Sequence, residues 1–337
     1  MFDVGKLNLD NKCIMITGGT GSFGRQFLHT ILKHTNVKRI VIYSRDEHKQ
    51  YDLAQTLDGA ESRVRMFIGD VRDRDRMAMA MRGVDIVIHA AALKHVPAAE
   101  YNPFECIHTN VIGAENVVQC AINNNVSQVL ALSTDKAASP ANLYGASKLA
   151  SDKIMVAANN LAPKNGPRFS VVRYGNVFGS RGSVVPFFQK LVKEGATTLP
   201  ITDERMTRFW ISLQEGVDFV LSCLKIMRGG EIFIPKIPSM KITDLATTIG
   251  PELPHEVVGI RPGEKLHEVM ITEDDSRNTW ELPDRFVIEP EFNVWESVRS
   301  QLEGAVKVEP GFVYSSNSNK EWLKSEDILD ILEKARD

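Results

Sequence analysis

The chain has little cysteine, no long apolar run and no block of basic charge, and each lack removes a class of function. Its four cysteines, Cys13, Cys106, Cys120 and Cys223, form no CxxC pair and no framework spacing. That argues against a disulfide scaffold and a metal site, and fits a reducing compartment. No apolar run approaches the roughly 18–20 residues that a bilayer-spanning helix needs. The first ten residues lack the apolar core of a secretory signal, so the expectation is a cytoplasmic protein without membrane contact. A net charge of −3 with no extended basic run gives no footing for nucleic acid. There is no internal repeat and no low-complexity segment.

What remains is the composition of a soluble globular protein, 43% hydrophobic and 25% charged over 337 residues, long enough to bury a large core. Short apolar runs at 13–16, 39–43, 64–68, 86–89, 129–132 and 169–172 read as strands, separated by segments long enough for crossover helices. Such runs indicate a parallel sheet covered on both faces. The expected fold is therefore α/β, with a doubly wound parallel Rossmann-type sheet whose ligands lie beyond the strands' carboxyl ends. Residues 102–125 and 144–161 read as long helices, 215–227 as a later helix and 231–234 as a late strand. After residue 178 the composition shifts toward polar loops, proline and charge. The expected division is a dinucleotide-binding domain (1–178 plus 210–236) and a smaller, interleaved α/β substrate-binding domain (179–209 plus 237–337).

The first strand runs into Gly18, Thr20, Gly21, Ser22, Phe23 and Gly24, with a helix following. Three spaced glycines permit a tight turn, close approach of a pyrophosphate and close helix–strand packing, and the helix N-terminus offers N–H groups to phosphates. At the second strand end stand Ser44 and Arg45, with Lys49 one turn on. An arginine there suits a 2′-phosphate, so NADP is expected; Asp46 reads as the cap of the next helix. Asp70 and Val71 close the third strand, where Asp70 either meets adenine or caps the following segment. His89 is followed by the small Ala90 and Ala91, then by Lys94 and His95 on a loop at the same edge. Lys94 is a candidate for cofactor or substrate phosphate.

Around the fifth strand end, Ser133, Thr134, Asp135 and Lys136 meet Tyr144 and Lys148, which share one helix face. A tyrosine of reference pKa about 10 is a poor base at neutral pH, and a nearby lysine cation lowers that barrier. Thr134, Tyr144 and Lys148 suffice for oxidation of a hydroxyl, with Tyr144 and Lys148 also touching the cofactor. Asp135 and Lys136 are surplus to that step and suggest an elimination on the oxidised product. For that role Lys136 would need a lowered pKa and Asp135 a raised one. Downstream, Asn176, Arg181, Arg205, Arg208, Arg261 and Glu264 are the candidates for an anionic substrate, because arginine recognises phosphate bidentately. Any one of the three arginines at 181, 205 and 208 could equally be a surface ion pair.

The runs 17–24, 44–47, 89–95, 133–136, 144–148 and 173–183 resemble the extended short-chain dehydrogenases/reductases. More narrowly they resemble the inverting UDP-N-acetylglucosamine 4,6-dehydratases of the pseudaminic-acid pathway, as do 202–210, 235–241 and 261–270. Glucose-type dehydratases carry Thr-Asp-Glu where this chain has Thr134-Asp135-Lys136. Membrane-bound retaining relatives carry methionine at the Tyr144 position. The resemblance implies a tightly held NADP, UDP-GlcNAc as substrate, and a homo-oligomer (hexamer or dimer); the two long helices often form a dimer interface in that family, though their apolar faces could equally pack within the subunit. It implies Tyr144 as base at the 4-hydroxyl, Asp135 as acid at C6 and Lys136 at C5.

Overall fold

A strand covered on both faces must be apolar throughout, and β1 (Cys13–Thr17) is buried at every position. In the computed structural model of the chain, the residues described are 2, 4–5, 9–57, 59–180, 182–291 and 302–334. After β1 come α1 (Ser22–His34), β2 (Arg39–Ser44), α2 (Glu47–Ala54), β3 (Val64–Ile68), α3 (Arg74–Ala80) and β4 (Ile86–His89). α4 (Val96–Tyr101), α5 (Pro103–Ile107) and α6 (Gly113–Asn123) lead to β5 (Gln128–Thr134), and α7 (Leu143–Leu161) leads to β6 (Arg168–Tyr174). The later chain forms β7 (Asn176–Val177), α8 (Val184–Lys193), β8 (Leu199–Ile201), β9 (Thr207–Ile211), α9 (Leu213–Ile226) and β10 (Ile232–Pro235). It continues through β11 (Ser239–Lys241), α10 (Ile242–Ile249), β12 (His255–Val257), β13 (Val269–Ile271), β14 (Thr279–Glu281) and β15 (Arg285–Ile288). β16 (Val306–Lys307), β17 (Tyr314–Ser315) and α11 (Ser325–Lys334) complete it.

Among the described residues the main sheet has the order β3-β2-β1-β4-β5-β6-β10-β15-β14-β16. From β3 to β10 neighbours run parallel, and β15, β14 and β16 add antiparallel at one edge. The order reverses between β1 and β4, which opens a crevice at their carboxyl ends. Thr17, His89 and Ala131 lie side by side there. Helices cover both faces, α1 against α9 on one and α3, α6 and α7 in succession on the other. This is the doubly wound α/β fold expected.

The late chain serves two cores. Phe178, Phe188, Trp210, Met240 and Leu245 form a second cluster with Ile328 of α11. Phe286, Val287 and Tyr314 instead join the main core. The described residues after 237, grouped from the sequence with 179–209, are thus shared between the two clusters, because β14, β15 and β16 extend the main sheet.

The helix expected over 102–125 is interrupted. Residues His108–Ile112 form a π turn between α5 and α6. Asn110, 1% exposed, explains it: its side chain accepts from Leu93 N at 2.8 Å and donates to Leu93 O at 2.9 Å and Ser147 Oγ at 2.9 Å. The widened turn aims this amide at the loop after β4 and at α7 at once.

Two glycines of the first loop are fixed by close approach. Gly18 has φ +66°, and a Cβ there would meet Ala91 backbone at 2.9 Å; a Cβ at Gly24 would lie 2.5 Å from Gly19 backbone. Gly24→Ala should therefore destabilise the fold by about 1–3 kcal/mol, read from denaturant midpoints. An unchanged midpoint would mean that α1 does not need this contact.

Candidate active site

At the crevice the geometry fits a dinucleotide. No side chain caps the N-terminus of α1 at Gly21, so its first N–H groups face the loop, and the glycine backbones leave room for a pyrophosphate. Thr20 is buried and Ser22 and Phe23 open the helix, so all the expected loop residues converge here. Ala90 N and Ala91 N bond the Thr17 carbonyl and hydroxyl, which holds the two small residues flat against the crevice. His89 beside them is 1% exposed, bonds Thr17 Oγ1 through Nδ1 at 2.8 Å, and is pushed by burial down to about 3, so it stays neutral.

The β2 and β3 end of the crevice, where the sequence reading put the adenosine, carries a chain of charges. Asp46 caps α2 by accepting from Lys49 N at 3.0 Å, and its carboxylate also takes Lys49 Nζ at 2.7 Å. Ser44 is buried, its hydroxyl accepting from Gln50 at 3.1 Å. Arg45, about half exposed, lies 3.5 Å from Asp70 Oδ2, and Arg72 bonds the same oxygen at 2.7 Å. Burial raises the Asp70 pKa, but the Arg72 hydrogen bonds and the Arg72 and Arg45 charges bring it below the usual range. Asp70 does not cap α3; Asp73 does, three residues on. Val71 is buried beneath Gly113.

The central cluster closes around Lys136. Thr134 Oγ1 donates to Asp135 Oδ1 at 2.8 Å, and Lys136 Nζ donates to that oxygen at 3.0 Å and to Asn176 Oδ1 at 3.4 Å. From the other side Glu268 Oε1 stands 3.3 Å from Lys136 Nζ. Burial works against the ammonium, but the two carboxylates outweigh it and hold the Lys136 pKa above that of an ordinary lysine. The base role read from the sequence would need the opposite. The neighbouring cations exist, Arg208 among them, but two carboxylates stand closer and dominate.

Tyr144 begins the buried face of α7, whose cap is Asn142 accepting from Gly145 N at 2.7 Å. Burial raises its phenol to about 12, and the largest charge acting the other way is the Lys136 ammonium, not Lys148. Lys148, 3% exposed, is lowered by burial and supported by Asp152 one turn along. Asp152 in turn accepts from Ser133 Oγ at 2.8 Å and pairs with Arg173 at 3.4 Å.

The proposed phosphate ligands separate sharply. Lys94 stands at the rim, its pKa lowered by partial shielding and by Lys136. Arg205 is exposed and its fork is bidentate on Asp203 at 2.9 and 2.8 Å, the surface pair that was the alternative reading. Arg208 is not available to phosphate as placed: buried, it donates to the Thr207, Leu266 and Lys265 carbonyls and lies 3.7 Å from Glu268. Arg261 is exposed and Glu264 half-buried on the loop after β12, and Arg181 lies outside the described residues. The sequence reading missed Glu268, Asp152 and Asn110. Asp152 repeats the four-residue spacing of Tyr144 and Lys148, a signal that was there to be read; Glu268 had none beyond its place in the charged run after Arg261.

The fold is that of the short-chain dehydrogenases/reductases. Within that class the chain belongs to the family described as polysaccharide biosynthesis proteins, whose model matches residues 14–290. A Campylobacter jejuni protein named UDP-N-acetylglucosamine 4,6-dehydratase (inverting) is 55% identical over 96% of this chain and 98% of its own length. A Rickettsia akari protein named UDP-glucose 4-epimerase is 40% identical over 96% of this chain and 95% of its own. Among solved structures, Pen from Bacillus thuringiensis matches with TM-score 0.89 and 34% identity, covering 98% of this chain and 99% of that one. DesIV, a dTDP-glucose 4,6-dehydratase from Streptomyces venezuelae solved with NAD, shares the fold at TM-score 0.68 and 24% identity, covering 75% of this chain and 86% of its own.

The two arginines give a direct contrast. Arg208→Ala should cost about 3–5 kcal/mol because it strips a buried carboxylate of a partner. Arg205→Ala should leave the melting temperature where it is. Equal effects on thermal unfolding would refute the assignment of Arg208 as an internal strut.

Proposed function

We propose that the chain is an NADP-dependent UDP-N-acetylglucosamine 4,6-dehydratase that inverts C5, giving UDP-2-acetamido-2,6-dideoxy-β-L-arabino-hex-4-ulose. The observation that carries this reading is the Asp135–Lys136 pair, 3.0 Å apart beside Tyr144. Hydride transfer alone has no use for it. The Campylobacter relative, at 55% identity, supports both the substrate and the stereochemical outcome.

The bound nicotinamide would take a hydride from C4 and return it to C6. Tyr144 receives the proton of the 4-hydroxyl, with Thr134 hydrogen-bonding its phenol and Lys136 lowering the cost of the phenolate. A ketone at C4 makes the C5 proton acidic. Lys136, found as an ammonium, becomes the base by passing a proton to Asp135, and the same transfer makes Asp135 the acid. Lys136 then takes the C5 proton while Asp135 protonates the leaving C6 hydroxyl, and water departs. Both groups end as they began, ammonium and carboxylate. Inversion follows when C5 regains a proton from the opposite face.

NADP is favoured because Arg45 is half exposed at the β2 end while Asp46, the carboxylate that could bind a ribose 2′-hydroxyl, is held by Lys49. Lys94, Asn176 and Arg261 remain the strongest substrate candidates, with Arg181 and Glu264 beside them in sequence. The product suits the first step of pseudaminic-acid synthesis for surface glycans, in the cytoplasm. No described helix is long and apolar enough to cross a membrane. A homo-oligomer, hexamer or dimer, is proposed from the apolar Tyr101, Phe104 and Leu161, exposed along α4, α5 and α7.

A second reading, a UDP-sugar 4-epimerase, is favoured by the 40% identical Rickettsia relative. A C5-retaining dehydratase would use the same residues. Incubation with UDP-GlcNAc in D2O, followed by proton NMR, separates all three. A C6 methyl signal with L-arabino couplings at C5 is expected, whereas an unchanged C6 with inverted C4 identifies an epimerase. In the same assay Tyr144→Phe should lower kcat by about 10²–10⁴-fold. A Lys136→Ala chain at full turnover would overturn the C5 assignment. Nucleotide released by denaturation should carry a 2′-phosphate by mass, and Arg45→Ala should weaken NADP binding more than NAD; release of NAD alone would refute the cofactor assignment.

A further inference from the structure

Glu268 has no place in the scheme above, yet its surroundings are unusual. It is 2% exposed, at the start of the β13 region, and its backbone N–H bonds Ser316 Oγ at 2.9 Å. One carboxylate oxygen, Oε1, is shared between Lys136 Nζ at 3.3 Å and Arg208 Nε at 3.7 Å. The other, Oε2, lies 3.9 Å from Lys265 Nζ and has no hydrogen-bond partner among the described residues. Lys265 is itself anchored to the Ala138 carbonyl at 2.7 Å, just past the short turn that carries Lys136. A buried carboxylate surrounded by cations is costly to assemble, and this one meets the reacting cluster at Lys136.

We propose that Glu268 is a positioning residue for the acid–base step: it holds the Lys136 side chain opposite Asp135 and sets which proton state that amine presents to the sugar. This rests on Lys136 acting in the proposed reaction, but its physical core does not. Charged and titratable groups face Lys136 from each element around it: Asp135 beside it, Glu268, Arg208 and Lys265 from the late chain, Tyr144 from α7 and Lys94 from the rim. Of these only Asp135 and Glu268 favour the charged amine. Asp135 is consumed as the proton acceptor when Lys136 becomes a base. At that moment Glu268 is the one anion left to hold the amine in place, and it keeps the transfer from running ahead of substrate.

The test measures Lys136 directly. Competitive acetylation with acetic anhydride across pH, with the Lys136 peptide quantified by mass spectrometry, reports its pKa with no need of substrate. Glu268→Gln should move that midpoint down by at least about one pH unit, a tenfold larger neutral fraction at fixed pH below it. Glu268→Asp, which keeps the charge on a shorter stem, should return most of the shift; it also serves if the Gln variant fails to fold. In turnover with UDP-GlcNAc, the pH limb governed by Lys136 should move down with the labelling midpoint while KM stays near wild type.

An unmoved Lys136 midpoint in folded Glu268→Gln overturns the proposal. So does a loss of activity that is uniform across pH, which a purely structural carboxylate would give. If the wild-type chain makes no 4-keto-6-deoxy product, the functional reading fails, while the labelling result still decides the role of Glu268.

Discussion

The Lys136 ammonium, three-quarters enclosed, needs anions beside it to stay charged. Asp135 is its neighbour in sequence, but the second anion, Glu268, arrives from the far end of the chain with Arg208 and Lys265. Satisfying one ammonium therefore requires that the late chain fold back over the ends of β5 and β6. Arg173 ties the same two regions from beneath, its guanidinium on the Met270 carbonyl at 2.9 Å and against Asp152 at 3.4 Å. Removing either anion leaves the others uncompensated in a low-dielectric setting, which makes the cluster a strict condition on the whole arrangement.

The polar groups under the crevice sort into two tiers. One consists of Tyr144 and Lys148 on α7, with Asp152, Ser133 and Arg173 behind them, and in the proposed reaction it would take the proton from a hydroxyl. The other consists of Asp135, Lys136 and Glu268, to which the proposed reaction gives the elimination. They touch at Thr134, which donates to Asp135 and hydrogen-bonds the Tyr144 phenol. Because the Lys136 charge is the largest one lowering the phenol, the tiers are coupled electrostatically as well as sterically.

Much of this was legible in the sequence, and the division between what was and was not has a physical basis. The parallel strands could be read because burial on both faces leaves no polar position to mask the pattern. The glycine loop and the Tyr144–Lys148 spacing could be read because both are local, a turn and one helical turn. Arg205 and Arg208 could not be told apart, since one guanidinium ends in solvent and the other under a cap of carbonyls for reasons set by β9 and β13. The direction of the Lys136 pKa was hidden for the same cause. Sequence shows which charges are near in the chain, and electrostatics answers to which are near in space.

The π turn at His108–Ile112 has a consequence for how far the helix can be idealised. An α-helix advances about 100° per residue, so one extra residue in a turn rotates everything beyond it by that angle. Before the turn Cys106 faces α7; after it Val117, Val118 and Cys120 face the main core. Asn110 sits at the change of phase, which is why a single amide can hold both Leu93 and Ser147. Deleting one residue here would give a straighter helix with better regular hydrogen bonding, and would swing that amide off the loop that follows β4. Local regularity and the order of the crevice are in opposition at this turn, and the chain keeps the irregular helix.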